Sequence, residues 1–195
     1  MRLPLSTLRL WEEAVEQVER RVQKVAGLLE QHRVPYQVVG GLAVSSWVAT
    51  EDPAAVRATR DVDISIRRSD LDRVKSVLEA AGYRYRYAMG VHMFLDPDST
   101  KARDAVHILF AGEKIRPEDL YPIPAIEEDP PRAARDYAVA PMVSLVQMKL
   151  TSFRRKDQMH LLDLIDVGLI TPDVERTLPP DLLARLEELK RNPEG

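Results

Sequence analysis

Residues 38–66, VVGGLAVSSWVATEDPAAVRATRDVDISI, hold the reading that decides the fold. YQVV, residues 36–39, has the look of a short buried strand, Gly40–Gly41 of a tight turn, and LAVSSWVA of a helix. That helix must stop before Pro53, because proline disfavours helical geometry in the residue ahead of it. DVDISI alternates polar and apolar residues, which in a strand sends Asp61, Asp63 and Ser65 to one face and Val62, Ile64 and Ile66 to the other. Two carboxylates on one face repel each other unless a cation or a base lies between them. The pair therefore reads as a cation site. Oxygen ligation suits a hard divalent ion such as Mg²⁺, which keeps several waters and is completed by substrate phosphates. The glycines supply a second half, since a helix N-terminus reached through them offers unpaired N–H groups and a positive dipole end to an anion. Ser45 and Ser46 lie just beyond as further hydroxyl donors. Alone, the glycine pair need be no more than a turn and the aspartates no more than an exposed strand edge; together they point to phosphoryl or nucleotidyl transfer.

On the N-terminal side, Leu8, Trp11, Val15, Val18, Val22, Val25 and Leu29 recur at spacings of three and four, predicting an amphipathic helix over 6–32 with Ser6 as its N-cap. The heptad spacing also allows a homodimer seam. On the C-terminal side, SDLDRVKSVLEAAG predicts a helix capped by Ser69 or Asp70 and stopped at Gly82. YRYRYA, VHMFLD and DAVHILF follow as strands, the last being the most apolar and so the most central. Residues 111–135 contain five of the fourteen prolines and little periodicity, and read as an ordered excursion over the surface. MVSLVQMKLTSFRR, KDQMHLLDLIDVGLI and DLLARLEELKR then show helical spacing. The expected architecture is an α/β (α+β) fold: an N-terminal helix over 1–35, a mixed-sheet core over 36–140, and a helical region over 141–195.

The 195 residues suffice for one main core. A net charge of −3 supplies no field to draw nucleic acid or an anionic membrane, and the 21 arginines against 7 lysines look like a genome-wide bias. With no clustered basic and aromatic stripe either, a direct nucleic-acid binder is disfavoured. Absence of cysteine removes disulfides, thiolate zinc sites and thiol nucleophiles. The N-terminus lacks an apolar signal core and no apolar run reaches the ~20 residues of a membrane span, so a cytoplasmic location is expected.

GGLAVSSW followed by RATRDVDISI, with Arg57, Thr59, Asp61 and Asp63 as an R-x-T-x-D-V-D core, resembles the nucleotidyltransferase superfamily of DNA polymerase β. Within it, the chain is most similar to small bacterial nucleotidyltransferase-like proteins that include the AbiEii toxins of toxin–antitoxin systems. The later LVQMKLTSFRRKDQMHLLDLID, with Lys149, Arg155, Lys156, Asp157 and Asp163, is similar to that group's helical segment, so the resemblance covers roughly residues 36–168. It implies that Gly40 and Gly41 hold nucleotide phosphates, that Asp61 and Asp63 bind Mg²⁺ (or Mn²⁺), and that a third carboxylate completes the site. Transfer of a nucleoside monophosphate from an NTP, ATP being the expected one, to a hydroxyl of a small molecule, protein or RNA would follow. Ser45, Arg57, Thr59 and Lys149 are the further nucleotide-binding candidates, and an antitoxin partner or a second copy is the implied protein partner.

The third carboxylate is missing. Its place in DAVHILF is taken by His107, while Asp104 shares the opposite strand face with Val106, Ile108 and Phe110. An imidazole is a poor Mg²⁺ ligand but accepts Mn²⁺ or Zn²⁺ and can act as a base near neutral pH. Three readings stand open: catalysis with an altered metal or base, a slow or inactive nucleotide binder, and a plain buried histidine. Glu113 could lend a carboxylate from the following loop. Lys149 could neutralise triphosphate or simply snorkel. Asp157 and Asp163 read as helix-start and helix-surface residues, and His32, His92 and His160, lacking metal-ligand spacing, as structural.

Overall fold

The computed structural model describes residues 5–98 and 104–193, without the side chains of residues 5–12 and 14. α1 spans Leu5–Gln31, so Ser6 falls inside it rather than ahead of it. Of its described stripe, Val18, Val22, Val25 and Leu29 are buried in the chain's own core, while Val15 is exposed. Leu8 and Trp11 lie outside the described side chains.

β1 (Tyr36–Val39) is buried at every position although it is an edge strand. The reason is a cover: Val38 exchanges backbone hydrogen bonds with Ala138 and Ala140, closing the free edge with the segment that precedes the C-terminal helices. α2 (Gly40–Glu51) starts at the first glycine, two residues ahead of the expected position, because Gly40 at φ +72° makes the whole turn by itself. β2 (Val62–Ile66) follows a short 3₁₀ turn, and Asp61 stands just ahead of it. α3 (Leu71–Ala80) begins after Asp70, whose side chain makes no capping bond, and Gly82 at φ +89° turns the chain behind it. β3 (Arg84–Ala88) and β4 (Val91–Leu95) form a hairpin, and β5 (Ala105–Phe110) completes the sheet. α4 (Met142–Ser152), α5 (Arg155–Asp166), α6 (Pro172–Arg176) and α7 (Pro180–Arg191) make the last third helical.

The sheet order is β1-β2-β5-β4-β3, with β5 in the middle as its apolar sequence predicts. β2 and β5 are parallel and the other neighbours antiparallel, so this is the mixed sheet expected. α1 and α3 pack together on one face, where Val62, Ile64 and Ile66 point. α2, α4, α5 and α7 form a second layer on the face of Asp63. Residues from Val18 to Leu189 join one hydrophobic core. No helix among the described residues is long and apolar enough to cross a membrane.

Candidate active site

The site begins with the glycine that links β1 to α2. A Cβ built on Gly40 would stand 2.2 Å from Oδ2 of Asp63, so backbone and carboxylate meet only because position 40 has no side chain. At Gly41 a Cβ would meet Thr59 Oγ1 at 3.1 Å and His160 Cε1 at 3.2 Å. No side chain caps the start of α2, which leaves first-turn N–H groups for another acceptor. Both glycines, Thr59, Asp61 and Asp63 line one cavity of about 260 Å³. The alternation of DVDISI thus brings its two carboxylates to a common space at the positive end of a helix.

Asp63 is the better fixed of the two. It pairs in register with His107 on the parallel neighbour strand, and the His107 Nδ1 lies 3.2 Å from its Oδ1. That hydrogen bond, with the charges of Asp63 and Asp61 behind it, raises the imidazole's pKa above its ordinary value against the opposing cost of burial. Asp61 is about half exposed, with Lys156 Nζ at 3.8 Å.

The facing wall is helical. Lys149 on α4 is buried and donates to Oδ1 of Asp157 on α5 at 3.1 Å, while Ser152 Oγ and Arg154 Nε donate to Oδ2 at 2.7 and 2.8 Å. The Arg154 backbone N–H adds a fourth bond, and Asp157 is completely buried. Burial opposes the Asp157 charge, but the bonds from Arg154, Ser152 and Lys149 and the lysine's charge outweigh it and bring its pKa to about 2. Burial pushes the Lys149 ammonium down, with Asp157 opposing. His160, one α5 turn beyond Asp157, is held neutral by burial and by the lysine charge, with its pKa lowered to about 4.

Among the residues singled out from sequence, Gly40, Gly41, Thr59, Asp61, Asp63 and Lys149 surround the cavity, Lys149 with its charge already answered by Asp157. Three others stand outside its lining. Ser45 Oγ donates to the Arg57 carbonyl at 2.8 Å, holding the loop that leads to Thr59. Arg57 reaches away to Asp163, with Nε 2.8 Å from both carboxylate oxygens. His107 acts on Asp63 from behind. Glu113 is engaged by the guanidinium of Arg68, and Asp104 lies 3.9 Å from Arg21 Nη2 on the other face, so neither supplies the missing carboxylate. The cavity also recruits residues that the sequence reading set aside. The stretch read as a surface excursion contributes Ile115, Asp119, Tyr121 and Ile123, and α5 contributes His160, beside Lys156 from the segment that carries the resemblance.

The donor set suits a small hard cation shared with a phosphate. Asp61 and Asp63 face one space, Gly40 leaves room against Asp63 Oδ2, and the α2 amides can take the anion. No group of three or more His, Cys, Asp or Glu side chains among the described residues forms a metal cage. Mg²⁺ typically needs only one or two carboxylates when phosphates and water complete its shell, so the residues fit an ion that arrives with a nucleotide.

Residues 5–117, more than half of the chain, match the family described as Uncharacterised nucleotidyltransferase. A search of curated proteins gives no match. Among solved structures, an antigenic nucleotidyltransferase-like protein from Paracoccidioides brasiliensis superposes with a TM-score of 0.55 at 13% identity, covering 92% of this chain and 90% of that one. ANT(2'')-Ia in complex with adenylyl-2''-tobramycin gives 0.52 at 14% identity, covering 90% and 99%. The solution structure of ANT(2'')-Ia, an antibiotic-resistance factor, gives 0.51 at 13% identity, covering 89% and 92%. At these identities the likeness is one of fold, and it extends over nearly the whole chain. With the sequence match fixing the family and the superpositions fixing the α/β nucleotidyltransferase fold, the chain belongs to the uncharacterised nucleotidyltransferase family.

Proposed function

We propose that the protein transfers a nucleoside monophosphate from an NTP, most readily ATP, to a hydroxyl acceptor, using Mg²⁺ or Mn²⁺ held by Asp61 and Asp63. The observation that carries this reading is the meeting of both carboxylates with the uncapped start of α2 in one cavity. The α2 amides beyond Gly40–Gly41 orient the triphosphate, with Lys156 and Arg154 as nearby positive charge. A bound divalent ion would neutralise charge on the phosphates and on the attacking and leaving oxygens. The acceptor oxygen forms a bond to the α-phosphorus as the bond to the bridging oxygen breaks and pyrophosphate leaves. The hydroxyl proton passes to a carboxylate oxygen of Asp63, the member of the Asp63–His107 pair that lines the cavity. The fold's likeness to ANT(2'')-Ia, seen with an adenylylated product, favours ATP over other nucleotides.

Calorimetry with ATP and Mg²⁺ or Mn²⁺ tests the assignment. Wild type binds, and Asp63→Ala loses binding at least tenfold, an effect of about 1.4 kcal/mol or more. Equal binding by the two proteins would remove these residues from the site. A second reading, a nucleotide-binding interaction protein with little turnover, is favoured by His107 in place of a carboxylate and by its claim on one Asp63 oxygen. Product formation assayed with wild type and His107→Asp separates the two: turnover only in the variant supports the second reading, and turnover in wild type supports the first.

A further inference from the structure

The glycines and charged side chains account for only part of the cavity lining. The loop over residues 112–123 closes on itself, Gly112 N–H donating to the Ile123 carbonyl at 2.8 Å and Ile123 N–H to the Glu113 carbonyl at 2.9 Å. It brings Ile115, Asp119, Tyr121 and Ile123 to the lining, where Leu109 of β5 and Met148 of α4 join them. Tyr121 is tethered by its hydroxyl, which donates to Oδ1 of Asp181 at 2.8 Å. Apolar side chains offer a triphosphate nothing, so this wall faces some other portion of a ligand.

Asp119 is the charged group set into it. The residue is 9% exposed, and its Oδ2 accepts from the Arg116 backbone N–H at 2.9 Å, closing the turn over 116–119. Its Oδ1 receives no hydrogen bond and the carboxylate makes no ion pair among the described residues, yet Oδ1 keeps accessible surface. Arg154, bonded first to Asp157, feels Asp63 and Asp119 only through weaker, longer-range attraction. Building the turn accounts for Oδ2. It does not account for a nearly buried negative charge with an unused oxygen beside a cavity, which costs free energy until a donor answers it.

We propose that this wall seats the base of the nucleotide and that Asp119 selects adenine through its 6-amino group; the inference rests on the nucleotidyl-transfer reading above. A carboxylate only accepts hydrogen bonds, so it calls for a base that presents an N–H. With Oδ2 engaged by Arg116, Oδ1 is left to take one N–H, which the 6-amino group of adenine supplies, whereas the two adjacent donors of guanine call for both oxygens at once. The Tyr121 ring and the aliphatic side chains cover the flat faces of the base, a contact that any base can make. Asp119 therefore decides which base binds, and its apolar neighbours how tightly.

Calorimetry on the full chain with Mg²⁺ and three probes tests this: ATP, GTP and purine riboside triphosphate, which differs from ATP only in lacking the 6-amino group. Wild type binds ATP at least about tenfold more tightly than the purine analogue, the effect of one hydrogen bond to a charged group. In Asp119→Asn the side-chain carbonyl keeps the Arg116 bond, so the loop stays closed, and the amide N–H₂ meets the amino group of adenine instead. ATP then weakens at least about tenfold, the analogue does not, and the preference disappears. Tyr121→Leu weakens ATP and the analogue by the same factor. Equal binding of ATP and the analogue by wild type, tighter binding of GTP than of ATP, or a preference that survives in Asp119→Asn overturns the proposal. The wild-type comparison needs no variant and decides the matter even where Asp119→Asn fails to fold. If wild type binds none of the three probes, nucleotidyl transfer itself falls and takes this proposal with it.

Discussion

The two walls of the cavity carry similar numbers of charges and use them in opposite ways. On the helical wall, Lys149, Ser152 and Arg154 all terminate on Asp157, a carboxylate with no exposed surface. On the strand wall, Asp61 and Asp63 keep oxygens turned toward the cavity, and their polar neighbours, Lys156 at 3.8 Å and His107 at 3.2 Å, hold them loosely. A buried ion pair whose bonding capacity is filled internally fixes a shape, because taking either partner away strands a charge in low dielectric. Carboxylates left partly solvated beside a helix N-terminus contribute little to stability and remain free to meet a ligand. Residue type does not separate these roles; the count of satisfied bonds does.

The contrast breaks first at Asp157. Asp157→Ala leaves the Lys149 ammonium buried without a counter-charge and costs about 3–5 kcal/mol, lowering the thermal midpoint by about 10 °C. Asp63→Ala in the same melt shifts stability by less than about 1 kcal/mol. Comparable losses in both proteins would erase the distinction between the walls. Next comes Gly40→Ala, where a left-handed φ of +72° and a Cβ at 2.2 Å from Asp63 Oδ2 combine. About 2 kcal/mol of stability is lost, and ATP affinity falls as the carboxylate is pushed aside. Gly41→Ala, whose nearest contact is Thr59 Oγ1 at 3.1 Å, is milder in both measurements.

The smallest effect is a pH slope. His160 has its pKa lowered from 6.5 to about 4, so the unfolded chain takes up a proton before the folded one. The stabilising contribution of the neutral ring is complete above pH 6.5 and is lost as pH falls toward 4. Denaturant titrations across that window show a decline on the order of 1 kcal/mol from this residue, since partial solvation of the ring reduces the full linkage value. His160→Asn flattens that part of the profile; an unchanged slope would place the ring in water rather than against Gly41.

Much of the strand wall is legible in the sequence because its logic is local. Period-two alternation in DVDISI fixes where the carboxylates point, and glycine at a strand end announces a turn that other residues resist. The apolar run of β5 likewise betrays the middle of the sheet. The helical wall is made by tertiary docking and leaves no such trace. Lys149 and Asp157 are eight residues apart across a break at Phe153, whose left-handed φ of 44° ends α4, so no helical spacing connects them. His160 reaches Gly41 only when α5 folds against α2. In residues 111–135 the sole cue was that isoleucines and a tyrosine punctuate a proline-rich loop, a composition that periodicity cannot interpret.

The parallel pairing of β2 with β5 also governs when the cavity can exist during synthesis. Parallel neighbours demand a long crossover, here the whole span from Ile66 to Ala105, and the facing wall waits for α4 and α5 near the end of the chain. A ribosome-bound chain emerging N-terminus first therefore displays its acidic pair well before the rest of the pocket can close around it. The proposed nucleotide capture therefore waits until the segment through α5 has been made, a built-in delay between the appearance of the acidic pair and closure of the pocket around it.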